Sequence, residues 1–356
     1  MIESEIYAFS VETLKKLISI PSVSREESNV ADFLFSLLKE KGFSPKRIGN
    51  NLWCIGKYFA EGKPTLLLNS HLDTVKPITT WSKKPFFPEE TEDKIYGLGS
   101  NDAGASLVSL IAVFELLERR EQSYNLILGI SAEEEVSGKN GIGMLLSQLP
   151  IIDVGIIGEP TELKMAIAEK GLLVLDCTSY GKSGHAALNN GENAIYKAIE
   201  DIEIIKENDF FQPSTLLGNV HFSVTMIDAG TQHNVIPDKC HFVVDIRTNE
   251  LYSNQEVLEC LKDKLSSTIT PRSLHLNSSS ISREHPLVKR GIELGLTTFG
   301  SPTLSDKAQM PFPTLKLGPG SSKRSHTADE YIEKKEILQG IECYFSLLDG
   351  LNIIKE

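Results

Sequence analysis

This chain of 356 residues is poor in cysteine and has no Cys-x-x-Cys pair. Its five cysteines, Cys54, Cys177, Cys240, Cys260 and Cys343, are odd in number, so any full disulfide scheme leaves one unpaired. That usage fits a reducing compartment. The start, Met1-Ile2-Glu3-Ser4-Glu5, lacks the basic residues and apolar run of a signal peptide. The most apolar helical stretch, Leu107 to Leu117, contains Ser109 and Glu115 and is too short to span a bilayer. A cytoplasmic protein with no membrane partner is expected. Positive charge is also short: 36 Lys and Arg stand against 48 Asp and Glu, a net charge of −12. That balance disfavours nucleic acid or an anionic membrane as partner. Several catalytic templates are missing as well. There is no His-Glu-x-x-His, no Gly-x-Ser-x-Gly, and no Gly-x-Gly-x-x-Gly after a strand. Gly181-Lys182-Ser183 resembles the end of a phosphate loop, but Asp176 stands where that loop needs glycine.

What is present is ordinary in bulk, with 40% hydrophobic and 24% charged residues, as in soluble globular proteins. The length exceeds one compact core and predicts two domains. Helical spacing covers residues 8–19 and 27–41, with a break at Ile20-Pro21-Ser22-Val23-Ser24 and Gly42 at the expected C-cap. A strongly apolar helix is expected over 104–118, starting just after Asp102. Its positive end would favour a carboxylate there. The apolar runs Thr65 to Ser70, Asn125 to Ile130 and Asp153 to Ile157 read as strands buried in a parallel sheet. After about Lys170 the texture changes. Residues 171–179, 218–227 and 239–248 alternate like half-exposed strands, and 192–207 and 254–265 look helical. Two helices on a small antiparallel sheet are expected there. Helical spacing returns at 286–296 and 331–348. The long interval between Glu159 and His326 is explained by an insertion. We therefore expect an α/β sheet domain from residues 1–168 and 281–356, and an inserted α+β domain from 169–280.

Acidic and histidine residues recur where strands are expected to end: His71-Leu72-Asp73, Asp102, Glu133-Glu134-Glu135, Glu159 and, far downstream, His326. In open α/β sheets, sites form at the carboxyl ends of strands. Histidines and carboxylates gathered there make an N/O metal site, which points to hydrolysis by metal-activated water. His71 and Asp73 have strand spacing and face one side. Asp73 is suited to fix the tautomer of a histidine ligand. Asp102 also reads as a simple helix N-cap. Glu134 and Glu135 are adjacent, so in extended chain one can bind metal while the other faces a water. Taken singly, Glu159 reads equally as an exposed turn and His326 as an ordinary loop histidine. Taken jointly, the positions point to a site.

These residues resemble the M20 family of metallopeptidases and amidohydrolases over essentially the whole chain. The resemblance is carried by Ile20-Pro21-Ser22-Val23-Ser24, Ser70-His71-Leu72-Asp73-Thr74, Gly97-Leu98-Gly99-Ser100-Asn101-Asp102, Ser131-Ala132-Glu133-Glu134-Glu135 and Gly158-Glu159-Pro160-Thr161. In the inserted region it is carried by Gly181-Lys182-Ser183-Gly184-His185-Ala186, Asn234-Val235-Ile236-Pro237 and Asp245-Ile246-Arg247. Ala103-Gly104 departs from the Met-Lys that follows this aspartate in many members. The resemblance implies a zinc-peptidase-like catalytic domain with an inserted lid or dimerisation domain, and a homodimer. It implies two zinc ions, replaceable by Co2+. His71 and Glu159 would hold one, Glu135 and His326 the other, with Asp102 bridging. Glu134 would be the general base, and Asp73 would orient His71. His185 would polarise the scissile carbonyl, often across to a partner subunit, and Asn234 and Arg247 would hold the substrate carboxylate. The loop Leu317-Gly318-Pro319-Gly320-Ser321 with His326 and Asp329-Glu330-Tyr331 resembles members acting on N-acetylornithine. The implied reaction is N-acetyl-L-ornithine to L-ornithine and acetate, in arginine biosynthesis. Lys323 and Arg324, beside His326, leave open a second substrate carboxylate and hence a succinyl group. A desuccinylase for succinyl-diaminopimelate, a dipeptidase and, more remotely, a non-catalytic metal-binding scaffold are the other readings.

Overall fold

The computed structural model describes residues 4–188, 190–207 and 209–353. Met1 to Glu3, part of the start read above, lie outside them. The chain divides into two compact units. The first comprises Met1–Ile167, Ile281–Phe299 and Ser305–Glu356, and the second Ala168–Ser280 with Gly300–Leu304.

The first unit is built on a mixed sheet. Its strands lie in the order Lys46–Ile48, Asn51–Ile55, Asn125–Ser131, Thr65–His71, Val154–Gly158, Thr314–Leu317 and Met165–Glu169, the last two residues of which belong to the second unit. The four from Asn125–Ser131 to Thr314–Leu317 run parallel, and the outer ones pair antiparallel. Every residue of Thr65–His71, Asn125–Ser131 and Val154–Gly158 is buried, as unbroken apolar strands in a covered sheet should be. His71 and Ser131 are register partners at the last rung, so both strands end level.

The helix Ala105–Leu117 is apolar on every side, which suits only a helix enclosed by protein. It packs on the sheet and against Lys334–Leu348 and Ser4–Ile18. With the turn before it, the stretch Ser100–Leu117 is long and apolar enough to cross a membrane by length and composition, yet 89% of it is buried in the fold. That is longer than the Leu107 to Leu117 segment apparent in the sequence. Helix Ser28–Glu40 ends where Gly42 takes φ 84° and returns its N–H to the Lys39 carbonyl at 2.9 Å. The helix expected over 331–348 starts only at Lys334. Tyr331–Glu333 instead forms a strand against Lys94–Tyr96, because its backbone groups find a ladder partner there.

The second unit is an antiparallel sheet in the order His221–Ala229, Lys239–Arg247, Leu173–Tyr180, Thr268–Pro271. Alternation decides its faces. Leu173, Leu175 and Cys177 point inward with Phe242, Val244 and Ile246, and pack with Ala194, Ala198, Val257 and Leu261 of helices Ala194–Glu207 and Asn254–Lys264. All five cysteines are free thiols.

Candidate metal centre

The candidate ligands converge at the carboxyl end of the parallel strands. His71 is the last residue of its strand and is 2% exposed. Its Nε2 lies 3.3 Å from Asp102 Oδ1 and 3.8 Å from Glu159 Oε1. Its Nδ1 faces the Asp73 carbonyl oxygen at 2.9 Å, with the Asp73 carboxylate at 3.5 Å. His326, brought in from the far end of the sequence, has Nε2 2.9 Å from Glu135 Oε2 and 3.7 Å from Asp102 Oδ2. Asp102 therefore turns one oxygen to each histidine.

The chain reaches these positions by irregular backbone. Asp102 does not cap the apolar helix, contrary to the N-cap reading. It sits in a wide turn, Ser100–Gly104, at φ −117° and ψ 97°, and the helix proper starts at Ala105. Nor is the glutamate run extended. Glu133 takes φ 54°, and Glu134–Val136 forms a 3-10 turn. Glu133 is thereby turned to Asn140, whose Nδ2 donates to it at 2.8 Å. Glu134 and Glu135 are turned together towards His71, because a tight turn does not separate neighbouring side chains as a strand does. The Asp73 carboxylate holds that turn. It accepts the N–H groups of Glu134 and Glu135 at 3.1 and 3.2 Å and the Ser24 hydroxyl at 2.7 Å.

The electrostatics follow from burial. Desolvation pushes Glu159 up to about 8 and raises Glu134 well above the carboxylate range, with neighbouring carboxylates adding to both. Glu135 rises for the same reason. His326 is raised to about 9, first by its hydrogen bond to Glu135. Desolvation opposes protonation of His71, but Asp102 and Asp73 outweigh it and its pKa rises. Asp102 and Asp73 are both lowered: burial works against this, and the bonds to His71 overcome it. Buried carboxylates of this density need a proton or a cation among them. The ligand atoms of His71, Glu134 and Glu159, and those of His71, Asp102 and Glu135, lie within 4.8 Å of one another. Imidazole nitrogens and carboxylate oxygens at this spacing suit divalent cations such as Zn2+.

Two buried acids had no role from the sequence: Asp306 was not singled out, and Glu330 entered only within Asp329-Glu330-Tyr331. Asp306 accepts from the Ser131 hydroxyl at 2.5 Å and Asn69 Nδ2 at 3.2 Å, beneath the ends of two site strands. Burial pushes it up to about 7. Glu330 accepts backbone N–H groups around Asp102, and burial pushes it up to about 8. Neither follows an apolar strand, so the signal that singled out the candidate ligands gave them no role. His185, Asn234 and Arg247 belong to the second unit. His185 and Asn234 are exposed and sit on adjoining segments, where the Ala186 N–H donates to the Asn234 carbonyl at 3.0 Å. Arg247 ends its strand in a bidentate pair with Asp245, at 2.8 and 3.1 Å.

The pattern that defines peptidase family M20/M25/M40 matches residues 67–350. The chain belongs to this family. As an M20 protein it is a metal-dependent hydrolase. It is 29% identical over 352 residues to a succinyl-diaminopimelate desuccinylase of Orientia tsutsugamushi, covering 91% of this chain and 85% of that protein. It is 28% identical over 358 residues to an acetylornithine deacetylase of Buchnera aphidicola, covering 91% and 93%. Among solved structures it is similar to a tripeptidase of Staphylococcus aureus, with TM-score 0.75 and 19% identity over 96% of this chain and 97% of that one. It is also similar to a dinuclear metal-binding peptidase of the M20 family from Bacillus subtilis, with TM-score 0.74 and 15% identity over 98% and 100%. At these identities the structural likeness speaks to the fold, which is the expected M20 α/β architecture.

Proposed function

We propose that this M20 hydrolase removes the acyl group from the α-nitrogen of an amino acid, with N-acetyl-L-ornithine as substrate. The reaction would serve arginine biosynthesis in the cytoplasm. The observation that carries the hydrolytic reading is Asp102, whose two oxygens face His71 and His326 at 3.3 and 3.7 Å. A carboxylate so placed suits a bridge between two cations, one held by His71 and Glu159, the other by Glu135 and His326. When bound, such ions lower the pKa of a shared water and polarise the acyl oxygen. Glu134 is the general base: its carboxylate takes a proton from water and passes it to the departing amine nitrogen. Burial raises its affinity for that proton. Asp73 holds Glu134 and Glu135 in place through their N–H groups.

His185 is proposed to donate to the acyl oxygen, and Asn234 and Arg247 to bind the substrate α-carboxylate. The Arg247–Asp245 pair is part-exposed, so it is worth no more than about 1 kcal/mol and can yield to a substrate carboxylate. Arg247→Ala is therefore expected to raise KM for acyl amino acids with kcat little changed. A fall in kcat at constant KM would remove the anchoring role.

Arg324 supports the small acyl group. Its guanidinium bonds Glu336 at 2.6 Å and lies over the Tyr331 ring at 4.5 Å, so it is committed within the fold. Lys323 is exposed. The assay is amine release from N-acetylornithine and N-succinylornithine side by side. A strong preference for acetyl is expected. A strong preference for succinyl would move the substrate assignment and make Lys323 the first residue to replace.

A homodimer is proposed through the second unit. Strand His221–Ala229 ends its sheet and pairs on one side with Lys239–Arg247. It also exposes Met226 and Ile227. An apolar edge strand invites a second strand. Light scattering that returns a monomer mass would exclude this assembly.

A further inference from the structure

We propose that Glu330 is a positioning residue that fixes Asp102 for metal and ties together the two ends of the sequence that build the site. The inference rests on the reading of Asp102 and His326 as metal ligands. Glu330 is 2% exposed and lies four residues after His326. Its Oε1 accepts the N–H groups of Asn101 at 2.8 Å and Asp102 at 2.9 Å, and its Oε2 accepts that of Gly99 at 3.2 Å. Its own carbonyl accepts the Gly97 N–H at 3.0 Å.

The N–H groups of Asn101 and Asp102 belong to the turn that gives Asp102 its non-helical backbone, and those of Gly97 and Gly99 lie just before it. A buried backbone N–H left unpaired is costly. Three of them converging on one point need an acceptor with several lone pairs on two oxygens, which among side chains is a carboxylate. Glutamine at this place offers one oxygen and turns an NH2 group against a remaining N–H. Aspartate keeps the charge and is one methylene shorter.

The segment that brings Glu330 in is itself held. Asp329 takes φ 55°, and its carboxylate accepts the N–H groups of Ser82 and Lys83 at 3.0 and 2.9 Å. Asn101 bonds the loop before His326 in both directions: its Nδ2 donates to the Ser321 carbonyl at 3.1 Å, and its Oδ1 accepts the Ser321 N–H at 2.9 Å. Asp102 and His326 thus depend on one set of bonds with Glu330 at its centre.

The test uses the full chain with Co2+ as the probe. Co2+ affinity is measured by chelator competition, the visible absorption of bound Co2+ is recorded, and the metal-free proteins are melted in parallel. Glu330→Gln is expected to weaken Co2+ binding by about 10–100-fold, the usual cost of losing a group that orients a metal ligand. Its Co2+ spectrum should shift. Glu330→Asp should recover part of the affinity, and it serves as the second variant if Glu330→Gln does not fold. A Glu330→Gln protein that melts lower but binds Co2+ with wild-type affinity and spectrum would overturn the proposal, leaving Glu330 as packing alone. Failure of the wild-type chain to bind Co2+ would overturn the metal reading itself, and this inference with it.

Discussion

Glu134→Ala is expected to keep its metal and lose nearly all turnover. The carboxylate of Glu134 is the group assigned to proton transfer, and a well-placed general base contributes about 10²–10⁴-fold. Its removal leaves the proposed ligands His71, Asp102, Glu135, Glu159 and His326 in place. The Asp73 bonds to the Glu134 and Glu135 N–H groups also survive, because they involve backbone and not the Glu134 side chain. The measurement is kcat together with metal content by elemental analysis. Full metal with kcat reduced by about two orders of magnitude or more fits the base. Because Glu134 lies within ligand distance of His71 and Glu159, metal content is the discriminating readout. Loss of metal in proportion to activity would make Glu134 a ligand, and normal turnover would remove it from the mechanism. Glu134→Gln sharpens the comparison, since the amide keeps an oxygen donor and loses the ability to carry the proton.

Three of the candidate ligands stood out in the sequence because they lie beside a feature that sequence displays well. His71, Glu135 and Glu159 follow buried apolar runs, and such runs end at the site edge of a parallel sheet. What sequence could not display was backbone conformation. Asp102 read as a helix cap because the apolar helix follows closely, but the intervening turn carries its carboxylate to the histidines. The three glutamates read as extended, whereas a left-handed Glu133 and a 3-10 turn send Glu133 to Asn140 and the next two to the site. Tyr331–Glu333 read as helix because its strand partner, Lys94–Tyr96, is remote in sequence. The partners of Glu330 and Asp306 were hidden for the same reason. They are backbone N–H groups and short polar side chains more than 170 residues away, and no periodicity records such contacts. A change of texture, from unbroken apolar strands to alternating ones, lies near Lys170 in the sequence, and the second compact unit begins at Ala168. The return of Gly300–Leu304 to the second unit had no such mark.

The loss from Asp102→Ala should differ in kind from that of Glu134→Ala. Asp102 is the side chain with one oxygen towards each histidine, so its removal leaves two separate donor pairs, His71 with Glu159 and His326 with Glu135. A pair of protein donors is fewer than the three that catalytic sites for Zn2+ ordinarily supply. Both ions should therefore bind more weakly, by more than the about 10–100-fold that loss of an outer group costs. Turnover should fall by about 10³-fold or more at sub-saturating metal, because the water and the acyl oxygen lose their activation together. Asp102→Asn keeps one oxygen donor and is expected to hold one ion firmly and the other weakly. Titration with Zn2+ read by calorimetry separates these cases. If Asp102→Ala still takes up both ions with wild-type affinity, the carboxylate does not bridge, and the hydrolytic centre must be rebuilt around Glu134 and the remaining ligands. If metal is lost from Asp102→Ala and retained in Glu134→Ala, the two acids divide their work as the geometry suggests: one assembles the centre, the other moves the proton.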